Sequence, residues 1–305
     1  MADAVRAFDA GRLRLYPEPR NLALRRRLAE IHNCAPEQVF VGNGSDEVLA
    51  LATRAFVEND GSVGYFEPSY SLYPVLADIR GVARNPVDLG PEFAWRMPAD
   101  FRASLFLLAN PNAPTGMQED PATVAAFARS FDGVVLIDEA YVDFARRNCM
   151  SLALDTSNTN TLAMRTLSKS FSLAGLRLGY AVGPEPLIAA LQKIKDSYNI
   201  DLLTQTVALA ALDDLEYMRA NVRRILTTRN RLCDALRTRG YRVLPSETNF
   251  VFARPPDGNA AAVVERLRDR KIFVRYFPGP RTGEYLRITI GTDAQIDALL
   301  GACRP

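Results

Sequence analysis

Histidine is nearly missing from this chain: His32 is the only one among 305 residues. That excludes multi-histidine metal centres and a histidine-based catalytic triad, so any proton transfer falls to another side chain. His32 closes a helical pattern beside Asn33, the place of a helix-terminal residue rather than a catalyst. Cysteine is scarce as well. Cys34, Cys149, Cys233 and Cys303 lie far apart with no Cys-x-x-Cys pair, which argues against a zinc site or a disulfide framework and for reduced thiols. No apolar run approaches the roughly 20 residues that cross a bilayer, and the opening Met-Ala-Asp-Ala-Val-Arg lacks the apolar stretch of a secretion signal. A cytoplasmic protein with no membrane partner is the expectation. The net charge is only +2, so no global field recruits nucleic acid. There is no internal repeat and no low-complexity tract.

Against these absences, 48% hydrophobic residues in a chain of this length supply a large core, and two unequal domains suit the size better than one. Helical and strand patterns alternate through about the first two-thirds of the chain, as in a mainly parallel sheet covered by helices. Helices are expected at 20–33 and 45–57, with strands at 39–42, 62–66, 83–87, 104–109, 134–138 and 161–166. A long amphipathic segment, 214–239, is able to bridge domains. Beyond it, strands at 241–244, 249–253, 272–275 and 285–290 alternate with helices at 259–270 and the C-terminus, which describes a smaller α+β domain. The division expected is an N-terminal segment 1–18, a large α/β domain 19–210 and a small C-terminal domain 211–305.

One lysine stands out. Lys169 lies in Thr166-Leu-Ser-Lys-Ser-Phe-Ser-Leu-Ala-Gly-Leu-Arg177, where small hydroxyl residues precede it and an arginine follows eight residues on. A lysine amine forms a Schiff base with a carbonyl, and hydroxyls with an arginine suit a phosphate, so the stretch suggests a phosphate-bearing aldehyde cofactor, pyridoxal 5'-phosphate. Upstream, Val134-Val-Leu-Ile-Asp-Glu-Ala-Tyr141 is an apolar, β-branched run that ends in an acid. It reads as a buried strand whose carboxyl end presents Asp138 to a crevice, where a carboxylate pairs with a protonated pyridine nitrogen. Tyr141 is near enough to reach the same ring.

Other segments carry less on their own. Gly42-Asn-Gly-Ser-Asp-Glu47 opens a helix after a strand, and its backbone N–H groups suit a phosphate, although Ser45 or Asp46 as a plain helix cap explains it equally well. It matches neither a Walker nor a dinucleotide fingerprint. Tyr70 in Pro68-Ser-Tyr70 follows a strand and is able to stack on a flat ring, or simply to pack. Asn110-Pro-Asn-Ala-Pro-Thr-Gly116 is a rigid turn at the end of another strand, beside that of Asp138.

Together these segments resemble the fold-type I aminotransferases, and within them most closely the histidinol-phosphate aminotransferases. The resemblance spans nearly the whole chain, from Leu15-Tyr-Pro-Glu-Pro19 to Ser246-Glu-Thr-Asn-Phe250, Val274-Arg-Tyr-Phe-Pro278 and Leu286-Arg-Ile-Thr-Ile-Gly291. It implies that Lys169 forms the Schiff base and shuttles the proton, that Asp138 keeps the pyridine nitrogen protonated, that Tyr141 bonds the ring hydroxyl and that Tyr70 stacks on the ring. Backbone amides of Gly44, Ser45 and Asp46, with Thr166, Ser168 and Arg177, would clamp the phosphate. Arg275 and Arg287 would receive the anionic ends of glutamate or 2-oxoglutarate and of histidinol phosphate; without the resemblance, Arg275 reads as a surface ion pair. Tyr16 matches a tyrosine that family members donate to the neighbouring subunit's site, which implies a homodimer.

Two departures from the family pattern stand out. Ala113 occupies the place of the asparagine that supports the ring hydroxyl, leaving Asn112 or Tyr141 to tune the ring. The chain also reaches Leu15-Tyr-Pro early, where family members carry a longer leading segment that folds over the site. The expected activity is amino transfer between histidinol phosphate and 2-oxoglutarate in histidine biosynthesis. Alternatives are an aromatic amino acid aminotransferase, a lyase similar to threonine-phosphate decarboxylase, and a binding module that keeps the fold without the catalysis.

Overall fold

In the computed structural model, residues 1–303 are described. The larger sheet has seven strands: β1 (Val39–Asn43), β2 (Ser62–Glu67), β3 (Ala83–Asp88), β4 (Leu105–Ala109), β5 (Val134–Asp138), β6 (Thr161–Thr166) and β7 (Leu178–Val182), in the order β1-β7-β6-β5-β4-β2-β3. Pairings among β2 to β6 are all parallel, while β7 is antiparallel to both of its neighbours. The mainly parallel sheet expected from the alternation is therefore present, with one strand beyond the six that the pattern marks. β7 was not anticipated, because its Leu-Gly-Tyr-Ala-Val run continues the lysine segment without a break.

Period-two alternation explains why this sheet is covered on both faces. Leu105, Leu107 and Leu136 point to one side, into a core with Val48, Leu49, Tyr73, Leu76 and Ile188 from the helices Gly44–Phe56, Leu72–Arg80 and Glu185–Ile194. Phe106, Leu108, Val135 and Ile137 point to the other, against Val124 and Ala128 of the helix Pro121–Ser130. Leu136 is fully buried, so its truncation to alanine costs about 2–5 kcal/mol of stability.

The helix Leu215–Thr238 leads to a four-stranded antiparallel sheet of β8 (Arg242–Val243), β9 (Phe250–Arg254), β10 (Arg275–Tyr276) and β11 (Leu286–Thr289), ordered β10-β11-β9-β8. Its core is filled by Leu232, Leu236, Val263, Leu267 and Ile296 from the helices Leu215–Thr238, Ala260–Asp269 and Asp293–Ala302. The strand expected at 272–275 begins at Arg275 instead. Lys271 takes a left-handed φ of 60° just before it, so the chain turns where the sequence pattern suggested extension.

Topology places the chemistry. β2, β4, β5 and β6 run in one direction, and the segments that follow them carry Tyr70, Asn112, Tyr141 and Lys169. The strand order reverses between β2 and β4, the kind of position where open α/β sheets leave a crevice beyond their carboxyl ends.

Candidate active site

Asp138 is the last residue of β5 and is 6% exposed. Its Oδ2 accepts from the Tyr73 hydroxyl at 2.9 Å and its Oδ1 from the Ala140 N–H at 3.0 Å. Burial pushes its pKa up to about 6, against the pull of these two donors and of the Lys169 charge. Lys169 follows β6, half-buried, with Nζ 5.3 Å from the centroid of the Tyr141 ring. The Phe250 ring of β9 packs edge-on against Tyr141 at 5.1 Å, so the small sheet touches the lysine site directly. Ser170, next to Lys169, donates its hydroxyl to Asp143 and anchors the loop.

A second cluster sits at the start of the helix Gly44–Phe56. Gly44 has a left-handed φ of 78°, and a Cβ there would stand 2.6 Å from Arg177 Nη2. Only a glycine lets the guanidinium lie so close to the exposed N–H groups of the first turn. Arg177 reaches Asp46 Oδ2 at 3.4 Å, and Tyr70 donates to Asp46 Oδ1 at 3.2 Å. The Thr166 hydroxyl donates to the Leu178 carbonyl at 3.1 Å and accepts from the Ser168 N–H at 3.2 Å, which fixes the entry to the lysine loop. Helix N–H groups, an arginine and a serine are an anion-binding donor set.

The third cluster is cationic. Arg275 of β10 and Arg287 of β11 are paired directly across the antiparallel ladder, so two like charges leave the sheet side by side. Their guanidinium carbons lie 5.5 Å and 5.2 Å from the Phe277 ring, and Arg287 also stands 5.0 Å from Phe250. Arg287 Nε is buried with no hydrogen-bond partner among the described residues, and burial lowers its pKa. An unpaired buried donor beside a like charge is costly unless an anion arrives.

The expected site residues thus divide. Lys169, Asp138, Tyr141 and Tyr70 lie close to one another; Gly44, Ser45, Asp46 and Arg177 gather at the start of the helix Gly44–Phe56, tied to Tyr70 through Asp46, with Thr166 and Ser168 at the entry to the lysine loop; and Arg287 reaches Tyr141 through Phe250. Asn112 is committed to its own turn and to the loop after β2: its Nδ2 hydrogens go to the Pro68 carbonyl and Thr115 Oγ1, both at 3.1 Å, and its Oδ1 accepts from Ser69. To donate to a ring hydroxyl it would have to release one of the two Nδ2 bonds. Tyr16 is 80% exposed and stacks on Tyr198 at 4.5 Å, on the surface. No group of three or more His, Cys, Asp or Glu able to hold a metal occurs among the described residues.

Two residues the sequence did not single out belong to this region. Tyr73 is the partner of Asp138, and the only hint was a further aromatic residue three positions after Tyr70. Glu139 is buried and bonded to Arg165 Nε at 2.9 Å and to the Cys149 N–H, so the second acid of Asp138-Glu139 braces β5 against β6. His32 ends the helix Leu22–His32, as expected, with Nε2 3.0 Å from the Tyr180 hydroxyl; burial and the nearby Arg165 charge lower its pKa to about 4.

Known proteins resemble this chain over almost all of it. The family described as aminotransferase class I and II matches residues 1–302. A histidinol-phosphate aminotransferase 2 of Thiobacillus denitrificans is 44% identical, covering 99% of this chain and 86% of that one. A histidinol-phosphate aminotransferase of Gluconacetobacter diazotrophicus is 43% identical over 98% of this chain and 85% of its own length. Among solved structures, the histidinol-phosphate aminotransferase of Sinorhizobium meliloti in complex with pyridoxal-5'-phosphate superimposes with a TM-score of 0.89 at 28% identity, over 99% of this chain and 84% of that one.

Proposed function

The chain belongs to the aminotransferase class I and II family, and on that premise we propose that it is a pyridoxal phosphate-dependent histidinol-phosphate aminotransferase. In this reading it exchanges an amino group between histidinol phosphate and 2-oxoglutarate. The observation that carries the chemistry is the proximity of a half-buried lysine, a buried carboxylate and an arginine-backed helix start. The donor set fits the cofactor: the Gly44 cradle suits a phosphate, and the buried Asp138 suits a protonated ring nitrogen.

Bound there, pyridoxal phosphate supplies a carbonyl that condenses with amines and a ring that withdraws electrons from the neighbouring carbon. The first-turn N–H groups of Gly44, Ser45 and Asp46, with Ser168 and Arg177, would hold its phosphate, and Thr166 would keep Ser168 in place. Asp138 would keep the ring nitrogen protonated, Tyr141 would bond the ring hydroxyl and Tyr70 would cover a ring face. Lys169 would supply the amine and, as the base, would take the proton from the substrate's α carbon. No histidine is there to do it, since His32 is committed to Tyr180.

Arg287 and Arg275 would receive the carboxylate of glutamate in one half-reaction and the phosphate of histidinol phosphate in the other, since a guanidinium fork fits both. A homodimer in which Tyr16 reaches the neighbour's site would account for a tyrosine left 80% exposed. The division into a segment 1–18, a large domain 19–210 and a small domain 211–305 belongs to the same reading, as does a cytoplasmic location. No helix among the described residues is long and apolar enough to cross a membrane.

The test is a half-reaction screen at matched concentrations, following the cofactor's visible spectrum. Histidinol phosphate and glutamate should each convert it to the amine form, and histidinol phosphate should react with a kcat/KM well above that of phenylalanine or tyrosine. Preference for the aromatic amino acids would contradict the substrate assignment, and carbon dioxide release would point to a lyase.

A further inference from the structure

The residue that stands behind Asp138 is Tyr73, on the helix Leu72–Arg80. Its side chain is fully buried within the core between that helix and the sheet, and its hydroxyl donates to Asp138 Oδ2 at 2.9 Å across 65 positions of sequence. A phenylalanine would fill the same apolar space, so the hydroxyl's contribution is to the carboxylate rather than to the packing. A buried hydroxyl is costly without a partner, and so is a buried carboxylate; each satisfies the other.

The groups facing Asp138 come from every element around it. Ala140 donates from its own loop at 3.0 Å. Its register partners on β4 and β6 are Ala109 and Met164, which carry no charge. Lys169, after β6, favours the ionised carboxylate, while Asp46, on the helix Gly44–Phe56, opposes it. Tyr70 and Tyr141 lie close to Tyr73, and Tyr70 packs edge-on against it at 5.6 Å between ring centres. Burial and the Asp138 charge raise the Tyr73 phenol well above its ordinary value, so it remains a donor wherever the enzyme works.

We propose that Tyr73 is a positioning residue for the reaction, whose hydroxyl holds the Asp138 carboxylate ionised and oriented and so sets the acidic limit of cofactor binding. This rests on the reading of Asp138 as the partner of the cofactor's ring nitrogen. Removing the hydroxyl leaves burial less opposed, so Asp138 takes its proton at higher pH and the bond to the ring nitrogen weakens earlier.

The experiment is a titration of apoenzyme with pyridoxal phosphate across about pH 5 to 8.5, comparing wild type, Tyr73→Phe, and a protein carrying 3-fluorotyrosine in place of Tyr73. The cofactor's own phosphate titrates alike in all three, so only differences between proteins count. The midpoint of the acid-side loss of affinity should rise by about one pH unit in Tyr73→Phe. It should fall in the fluorinated protein, whose phenol is the stronger donor at nearly the same volume. In an Asp138→Asn background, Tyr73→Phe should no longer move it. An unchanged midpoint in the folded Tyr73 variants overturns the proposal. If Tyr73→Phe does not fold, the fluorinated protein decides alone: a lower midpoint supports the role and an unchanged one overturns it. A wild-type protein that binds no cofactor at any pH overturns the functional reading itself, and this inference with it.

Discussion

The two charged ends of the candidate site are built in opposite ways. At the Asp138 end, a buried acid has a donor on each oxygen, one from Tyr73 and one from the backbone of Ala140. At the arginine end, Arg275 and Arg287 stand side by side with the same charge, and Arg287 Nε has no partner among the described residues. The first end is satisfied within the chain and needs only one further donor to complete it. The second is left in electrostatic debt, which suits a site that admits one anion, releases it and admits another. In a ping-pong transamination, permanent and exchangeable partners call for those two solutions.

The largest effect expected lies between the ends. Lys169→Ala should lower the transamination rate by at least about 10³-fold, measured as single-turnover conversion of the bound cofactor with glutamate. Asp138→Asn comes next: loss of the charge proposed to hold the ring nitrogen protonated should lower kcat by about 10²- to 10⁴-fold, with smaller changes in KM, in steady-state assays.

Arg287→Ala sharpens the contrast, because it removes a guanidinium meant for an exchangeable anion. It should lower kcat/KM for glutamate and histidinol phosphate by about 10²-fold and for uncharged amines far less, as charge-assisted bonds are worth about 1.5–3 kcal/mol. Arg275→Ala should cost about tenfold in the same assay, since Arg275 is exposed and screened by solvent. Equal losses across charged and neutral amines would erase the distinction between the ends.

His32 gives the smallest effect on activity and a readable one on stability. Its pKa is lowered to about 4 by burial, so the unfolded chain binds the proton more tightly than the folded one. Stability from this group is intact above about pH 6.5 and is lost as pH falls towards about 4, by on the order of 3 kcal/mol in all. Asp138 works the other way, its raised pKa of about 6 favouring the folded state as the pH falls. His32→Gln should flatten the acid-side loss in urea unfolding series while leaving kcat unchanged. An unaltered slope would place the imidazole in water instead of against Tyr180.

Much of this was legible in the sequence because the informative residues sit at the ends of strongly patterned strands. The run Val134 to Asp138 announced both a buried strand and an acid at its carboxyl end, and Thr166 to Arg177 announced a loop rich in anion donors. β7 escaped because its run continues the lysine segment without a break, and the reason for its Gly179 is three-dimensional: a Cβ there would stand 2.4 Å from the Ser45 backbone nitrogen. Tyr73 escaped for a similar reason, since its partner is 65 residues away. Asn112 was one of two residues left to tune the ring, yet its amide ties its own turn to the loop after β2 through Pro68, Ser69 and Thr115. Local pattern reveals elements and motifs; contacts across the fold decide which polar atoms remain available.

The most direct measurement is covalent. Purified protein incubated with pyridoxal phosphate, reduced with borohydride and digested should yield one dominant pyridoxylated peptide, modified at Lys169. Modification spread over surface lysines, or absent from Lys169, would contradict the account.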